Sequence, residues 1–196
     1  MKRIYFITSN KGKFEWAKRR MAKFGVQVVQ KQLPIDEPRE LAVEDVVKYK
    51  AQKAQELINE PFIIEDTSFC VDALHNFPAT LIKLVQGTIG ESGLIKLMEG
   101  KKNRKVNFRS ALAFVKNKKI KIFICNDTGI MPKSKRGANL HGFTELLSIF
   151  IPDGFEKTAA EMSDQEFRQY ERQIETKDHY HQFCKWFLKH EKKQHR

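Results

Sequence analysis

The chain opens with Ile4-Tyr5-Phe6-Ile7, passes through Thr8-Ser9-Asn10-Lys11-Gly12-Lys13 and continues as Phe14-Glu15-Trp16-Ala17-Lys18. An apolar run, a small polar turn and a periodic segment, in that order, predict strand, turn and helix, the first step of an α/β fold. The order constrains the turn as well as the fold. The unpaired N–H groups of the helix's first turn and the positive end of its dipole face that turn, and Lys13 adds a full charge, so the segment suits an anion such as phosphate. The phosphate-loop pattern of Gly, four residues and Gly-Lys-Ser/Thr is absent, and Gly12 alone does not make a dinucleotide fingerprint. Read by itself, the segment is equally an ordinary strand-to-helix turn with solvated lysines.

The helical pattern runs to about Phe24 and breaks at Gly25, after which Val26 to Gln30 alternates as a strand. Pro34 and Pro38 bracket an extended acidic segment, and Val43 to Ile58 resumes a helical rhythm. Phe62-Ile63-Ile64 predicts a short strand covered on both faces and ending at Glu65-Asp66-Thr67. Carboxylates at the end of a buried strand are where open α/β sheets bind ligands. Further on, Gly90 to Gly93 leads a helix through Leu94 to Met98. Val106 to Val115 and Ile120 to Cys125 read as strands joined by a basic hairpin tip, Lys116 to Lys119. Lys133 to Gly142 reads as a polar loop, Leu146 to Ile151 as a buried strand, and Pro152-Asp153-Gly154 as a turn. Ser163 to Lys193 reads as one long helical region with Asp164 near its cap and Phe183, Trp186 and Phe187 as its apolar stripe.

With 196 residues, of which 41% are hydrophobic, the chain has material for one core, and a single domain over 1–190 with a basic tail over 191–196 is expected. The formal charge of +12 attracts nucleotides, polyphosphates or nucleic acid without choosing among them. Much of the excess sits in turns, edges and the tail, as a solvated surface. Cys70, Cys125 and Cys184 lack the paired spacing of a zinc site and are expected as buried free thiols. No apolar run approaches the roughly 20 residues that cross a bilayer, and the first residues read as a core strand rather than a secretory leader. A cytoplasmic protein with no membrane partner is expected.

Lys13, the acidic Asp36, Glu37 and Glu40, Lys50 on a helix and Asp66 at a strand end together suit a triphosphate substrate. Hard oxygen ligands hold a magnesium ion, lysines neutralise the remaining phosphate charge, and a carboxylate orients or deprotonates the attacking water.

The order of these segments resembles the inosine triphosphatase family of house-cleaning nucleoside triphosphate pyrophosphatases, also called Ham1-like proteins. Thr8 to Lys13 with Glu15 is similar to the family's opening Thr/Ser-Gly/Ser-Asn-x-x-Lys signature, and Glu44 to Ala51 to its helix ending in Lys-Ala. Glu65 to Leu74 is similar to its Glu-Asp-Ser/Thr stretch with the following Asp-Ala-Leu. Asn76-Phe77-Pro78-Ala79 stands where Gly-x-Pro-Gly is expected, and Phe150 to Met162 follows the Phe-x-Pro-x-Gly…Lys-Thr-x-Ala-Glu run.

The resemblance implies an α/β fold with a long twisted mixed sheet flanked by helices, two lobes with a cleft between them, and usually a homodimer. It implies a magnesium-dependent attack of water on the α-phosphorus that releases nucleoside monophosphate and pyrophosphate. In these terms Asp66, Lys13 and Lys50 are the catalytic residues, and Glu40 and Asp66 the metal ligands. Glu40 is chosen by allowing a shift of one place, because Arg39 follows Pro38. Thr8, Ser9, Asn10, Lys13 and Thr67 would bind the substrate's phosphate end. The family's Gly-Phe-Gly-Tyr/Trp-Asp-Pro is replaced by Gly142-Phe143-Thr144-Glu145-Leu146, and its late Lys and Ser-His-Arg are sought around Phe167 to Gln173. Phe143 would stack on a base, and Glu145 and Arg172 would replace the missing base contacts, with an altered base preference as the consequence. The rival expectation is a relative without turnover that binds nucleotide or nucleic acid through its basic surface. His179, His181 and Cys184 read as a solvated helix face rather than a metal cluster, and Asp72 as a support for its loop.

Overall fold

The structure is a computed structural model that describes residues 2–36, 38, 42–138 and 144–191. In chain order the elements are β1 (Lys2–Ile7), α1 (Lys11–Ala22), β2 (Val26–Lys31), α2 (Val43–Leu57), β3 (Phe62–Val71), β4 (Pro78–Ala79), α3 (Ile82–Gln86), α4 (Gly90–Leu97), β5 (Lys105–Lys116), β6 (Lys119–Ile130), β7 (Ile151–Pro152), α5 (Asp164–Glu175) and α6 (His179–Glu191). The chain divides into two compact units, one made of Met1–Asp66, Ser110–Cys125 and Thr176–Arg196, the other of Thr67–Arg109 and Asn126–Glu175.

In the first unit the strand order is β2-β1-β3-β5-β6. β1 runs parallel to both neighbours, with Ile4 opposite Val28 and Ile7 opposite Ile64. Because successive strand side chains point to opposite faces, each strand feeds two cores. Ile4, Phe6, Ile63, Leu112, Phe114 and Phe123 pack with Ala17 and Met21 of α1 and Tyr180, Phe183 and Phe187 of α6. Ile7, Phe62, Ile64, Ala111, Ala113 and Val115 pack with Val43, Val47, Ala51 and Ala54 of α2. The three- and four-residue spacing on α2 presents one apolar stripe to the sheet. The hairpin between β5 and β6 turns on Asn117 and Lys118, both at positive φ (51° and 62°), the backbone of the two-residue turn that matches strand twist.

In the second unit β4 pairs antiparallel with β3, Phe69 opposite Ala79, and β7 pairs antiparallel with β6, Ile130 opposite Ile151. Its core gathers Phe69, Leu94, Met98, Met131, Phe150 and Phe167. Phe108 packs between Phe69, tilted at 4.7 Å, and Phe150, edge-on at 4.9 Å, as a core residue rather than a platform for bases.

Four sequence expectations change. The strand at Phe62 does not stop at Glu65 but continues to Val71, so the acidic pair lies inside a ten-residue strand. Leu146 to Ile151 is not a strand: Glu145–Ile149 forms a 3-10 helix, with the Thr144 hydroxyl capping Leu146 N–H and the Ser148 hydroxyl donating to the Glu145 carbonyl. These short side chains give the backbone local partners that compete with a ladder. The long C-terminal helix is two helices. Ser163 and Glu166 form a reciprocal capping box at the start of α5, and Asp178 caps α6 through the His181 N–H. His179 and Cys184 are buried, so their face of α6 is core rather than solvated. Basic tail residues 192–196 lie outside the described residues. No helix among the described residues is long and apolar enough to cross a membrane.

Candidate active site

The site grows from where β1 stops. β1 ends at Ile7, level with Ile64, and the chain turns into α1 through Thr8, Ser9 and Asn10. The turn is held locally: Thr8 N–H donates to the Lys31 carbonyl, Asn10 N–H to the Thr8 hydroxyl, and Gln30 Nε2 to the Thr8 carbonyl. Asn10 Oδ1 accepts from Lys13 N–H at 3.0 Å, the N-cap of α1. Lys13 therefore sits in the first turn of a capped helix, beside the end of its neighbouring strand.

Glu65 and Asp66 are the first residues of β3 beyond the end of β1. Ile63 belongs to the core under α1 and α6 and Ile64 to the core under α2, so alternation sends Glu65 to the first face and Asp66 to the second. Each acid meets a lysine from the helix on its own side. Lys13 Nζ lies 3.0 Å from Glu65 Oε2, and Lys50 Nζ, from α2, lies 2.5 Å from Asp66 Oδ2. Lys13 also reaches past the strand end to Asp66 Oδ1, at 3.7 Å. Two carboxylates and two ammonium groups thus form one alternating cluster. The Glu65 side chain is 3% exposed and Lys13 29%, so the cluster is sealed at Glu65 and open at Lys13.

Two members of this neighbourhood were not assigned from sequence. Glu65 was part of a motif but carried no role, and the strand parity at Ile63 and Ile64 is the signal that places it against Lys13. His179, in the first turn of α6, is buried, and its ring is held neutral by desolvation, partly offset by the charges of Glu65 and Asp178. Neither ring nitrogen has a hydrogen-bond partner among the described residues. The wide separation of His179 from Glu65 in sequence hides that proximity.

A family model described as the Ham1 family matches residues 4–175. The chain belongs to the Ham1 family. The dITP/XTP pyrophosphatase of Thermococcus kodakarensis is 36% identical over 164 residues, 84% of this chain and 87% of that one. The protein of the same name from Pyrococcus horikoshii shares the same identity and coverage. Among solved structures, a HAM1 protein from Coxiella burnetii superposes with a TM-score of 0.80 at 17% identity, covering 96% of this chain and all of the other. The Staphylococcus aureus Ham1 protein gives 0.77 at 19% identity, covering 97% and 100%. These two show that the mixed, helix-flanked α/β fold is the Ham1 fold.

Within this Ham1 family member, the structure brings together Lys13, Lys50 and Asp66 of the residues assigned from sequence, with Asn10 capping the helix that carries Lys13. Ser9 is exposed in the same turn, and Thr67 is the residue of β3 that follows Asp66. In the second unit Glu145 starts the 3-10 helix, its Oε2 3.6 Å from Lys135 Nζ, and Arg172 is exposed on α5. Glu40 and Phe143 lie outside the described residues. No group of three His, Cys, Asp or Glu side chains among the described residues is arranged as a metal centre. Asp72 lies at the start of a 3-10 turn, where its carbonyl accepts from His75 N–H.

Proposed function

We propose that the chain is a nucleoside triphosphate pyrophosphatase that hydrolyses the α–β phosphoanhydride to nucleoside monophosphate and pyrophosphate. The observation that carries this reading is the Lys13–Asp66–Lys50 cluster at the strand end of a Ham1-family chain. Two relatives at 36% identity bear the name dITP/XTP pyrophosphatase.

The oxygens of Asp66 and Glu65 are hard donors, the class that magnesium requires, and both residues already pair with ammonium groups. Asp66 fits as the residue that would hold a magnesium ion, with Glu40 as its partner. When bound, the ion supplies positive charge against the phosphate oxygens.

Lys13 and Lys50 neutralise the polyphosphate, which has to draw their ammonium groups from carboxylates that hold them in the free enzyme. Asp66 orients the attacking water and accepts its proton. The bond from the water oxygen to the α-phosphorus forms, the bridging oxygen to the β-phosphorus leaves as pyrophosphate, and the charge gathered on that leaving group is met by the two lysines. A neutral Lys13–Glu65 pair in the free state keeps a buried carboxylate from standing uncompensated. The sequence departs from the family pattern at Thr144-Glu145, so a base preference different from that of dITP/XTP enzymes belongs to this reading.

The test is a panel of standard and modified triphosphates with magnesium, assayed for pyrophosphate against orthophosphate. Pyrophosphate release from at least one member, lowered about 100-fold or more by Asp66→Asn, is expected. An intact panel, with RNA or DNA bound in a steeply salt-dependent way, overturns it.

A further inference from the structure

Arg20 and Asp178 make a contact buried at both ends, with side chains 6% and 5% exposed and Nε 3.3 Å from Oδ2. Nε and Oδ2 meet at that distance as an ion pair rather than as a hydrogen bond. Arg20 also lays its guanidinium over the Trp16 ring, 4.4 Å from the centroid. The other carboxylate oxygen of Asp178, Oδ1, accepts from His181 N–H at 2.7 Å and so caps α6.

A buried ion pair is weak evidence of stability, because removing two charges from water offsets most of their attraction. Its neighbours suggest a different use. Lys13 and Arg20 are seven residues apart on α1, two turns on one face. Asn10 fixes that helix at its start, and Arg20 ties it, two turns on, to the first turn of α6. The residue after Asp178 is His179, whose buried ring lies in the field of Glu65 and Lys13.

We propose that Arg20 and Asp178 are positioning residues for the phosphate-binding end of α1. The pair locks α1 against α6, so Lys13 keeps its place beside Glu65 and Asp66 while an anionic ligand competes for its ammonium group. This rests on the pyrophosphatase reading only in giving Lys13 a phosphate to hold.

The test compares Asp178→Asn, which keeps a capping side chain but removes the carboxylate charge facing Arg20, with Arg20→Met and with the double variant. Each is read by Tm, by calorimetric affinity for inorganic tripolyphosphate, and by KM and kcat on a triphosphate that the wild type cleaves. Asp178→Asn is expected to lower Tm. The double variant, with neither charge of the pair left, is expected to regain most of that Tm, to bind tripolyphosphate about tenfold more weakly, and to raise KM with kcat within about twofold. A double variant with wild-type affinity and KM overturns the proposal, as do Tm and affinity lost and recovered in step. Should the double variant not fold, Arg20→Lys retains the charge without the fork. A KM raised about threefold at near-wild-type Tm supports the positioning role, and an unchanged KM overturns it. If the wild type cleaves no triphosphate, the pyrophosphatase reading fails, while the tripolyphosphate titration still decides the role of the pair.

Discussion

The ammonium group of Lys50 lies 2.5 Å from Oδ2 of Asp66, and their side chains are only 13% and 18% exposed. Removing the cation leaves a mostly buried carboxylate with less compensation, so Lys50→Met should cost about 2 kcal/mol of stability, below the range for fully buried pairs. It should also lower kcat/KM by about 100-fold through loss of charge stabilisation at the leaving phosphate. Lys13→Met should act more through KM, because its grip on phosphate is already made in the ground state, and should cost at least as much stability, because it leaves the Glu65 carboxylate, 3% exposed, without that cation. Denaturant titration beside steady-state kinetics separates the two.

Asp127 on β6 accepts a hydrogen bond from the Tyr170 hydroxyl. Burial pushes its carboxyl up from near 3.8 to about 6, the Tyr170 bond opposes this, and the charge of Asp153 adds to it. The folded state then holds the proton more tightly than the unfolded chain. Its contribution to stability is therefore fully present below about pH 4, falls as pH rises to about 6, and is flat beyond that. Asp127→Asn keeps the acceptor without the charge. It should stabilise the protein by on the order of 2 kcal/mol at pH 7.5 and by almost nothing at pH 4, in paired thermal melts.

Lys118 holds a φ of 62° at the second position of the β5–β6 turn, beside Asn117 at 51°. A side chain there costs energy that glycine avoids, and Asn-Gly is the preferred pair for this turn. Lys118→Gly should raise stability by about 0.5–1 kcal/mol with no change in activity, read by urea unfolding.

Gly137 combines a φ of 77° with a close approach: a Cβ there would stand 2.6 Å from the Ala160 carbonyl carbon and oxygen. Both the backbone conformation and the space exclude alanine, and the obstacle is main chain that cannot rotate away. Gly137→Ala should destabilise the second unit by about 2–4 kcal/mol, visible as a lower unfolding midpoint.

The first unit was largely legible in the sequence because its signals are local. The strand–turn–helix at Ile4 to Lys18, the break at Gly25 and the stripe along Val43 to Ile58 each follow from period and punctuation. The full extent of β3 was not, since polar Glu65, Asp66 and Thr67 resemble the end of a strand when the element's neighbours are unseen. The 3-10 turn at Glu145–Ile149 was hidden for the opposite reason: its apolar run suits a buried strand, and only the capping by Thr144 and Ser148 decides otherwise. At the site, Lys13, Lys50 and Asp66 could be named from ordered motifs. The burial of Glu65 by α1 and the approach of His179 depend on contacts between segments far apart in the chain, which no spacing rule expresses. The split of the C-terminal helix at Asp178 was likewise invisible to apolar periodicity, although an Asp five residues before the stripe that starts at Phe183 is a capping signal in retrospect.

The opposite facing of Glu65 and Asp66 also limits how this segment can drift over evolutionary time. Exposed surface loops can absorb insertions and deletions, because no strand register is counted through them. Adding one residue between Ile64 and Glu65 would swap which sheet face each acid occupies and turn both from their lysines, and losing one between Ile64 and Asp66 would remove Glu65 itself. Lineages carrying this fold should therefore tolerate exchanges of residue type here far more readily than any change in length.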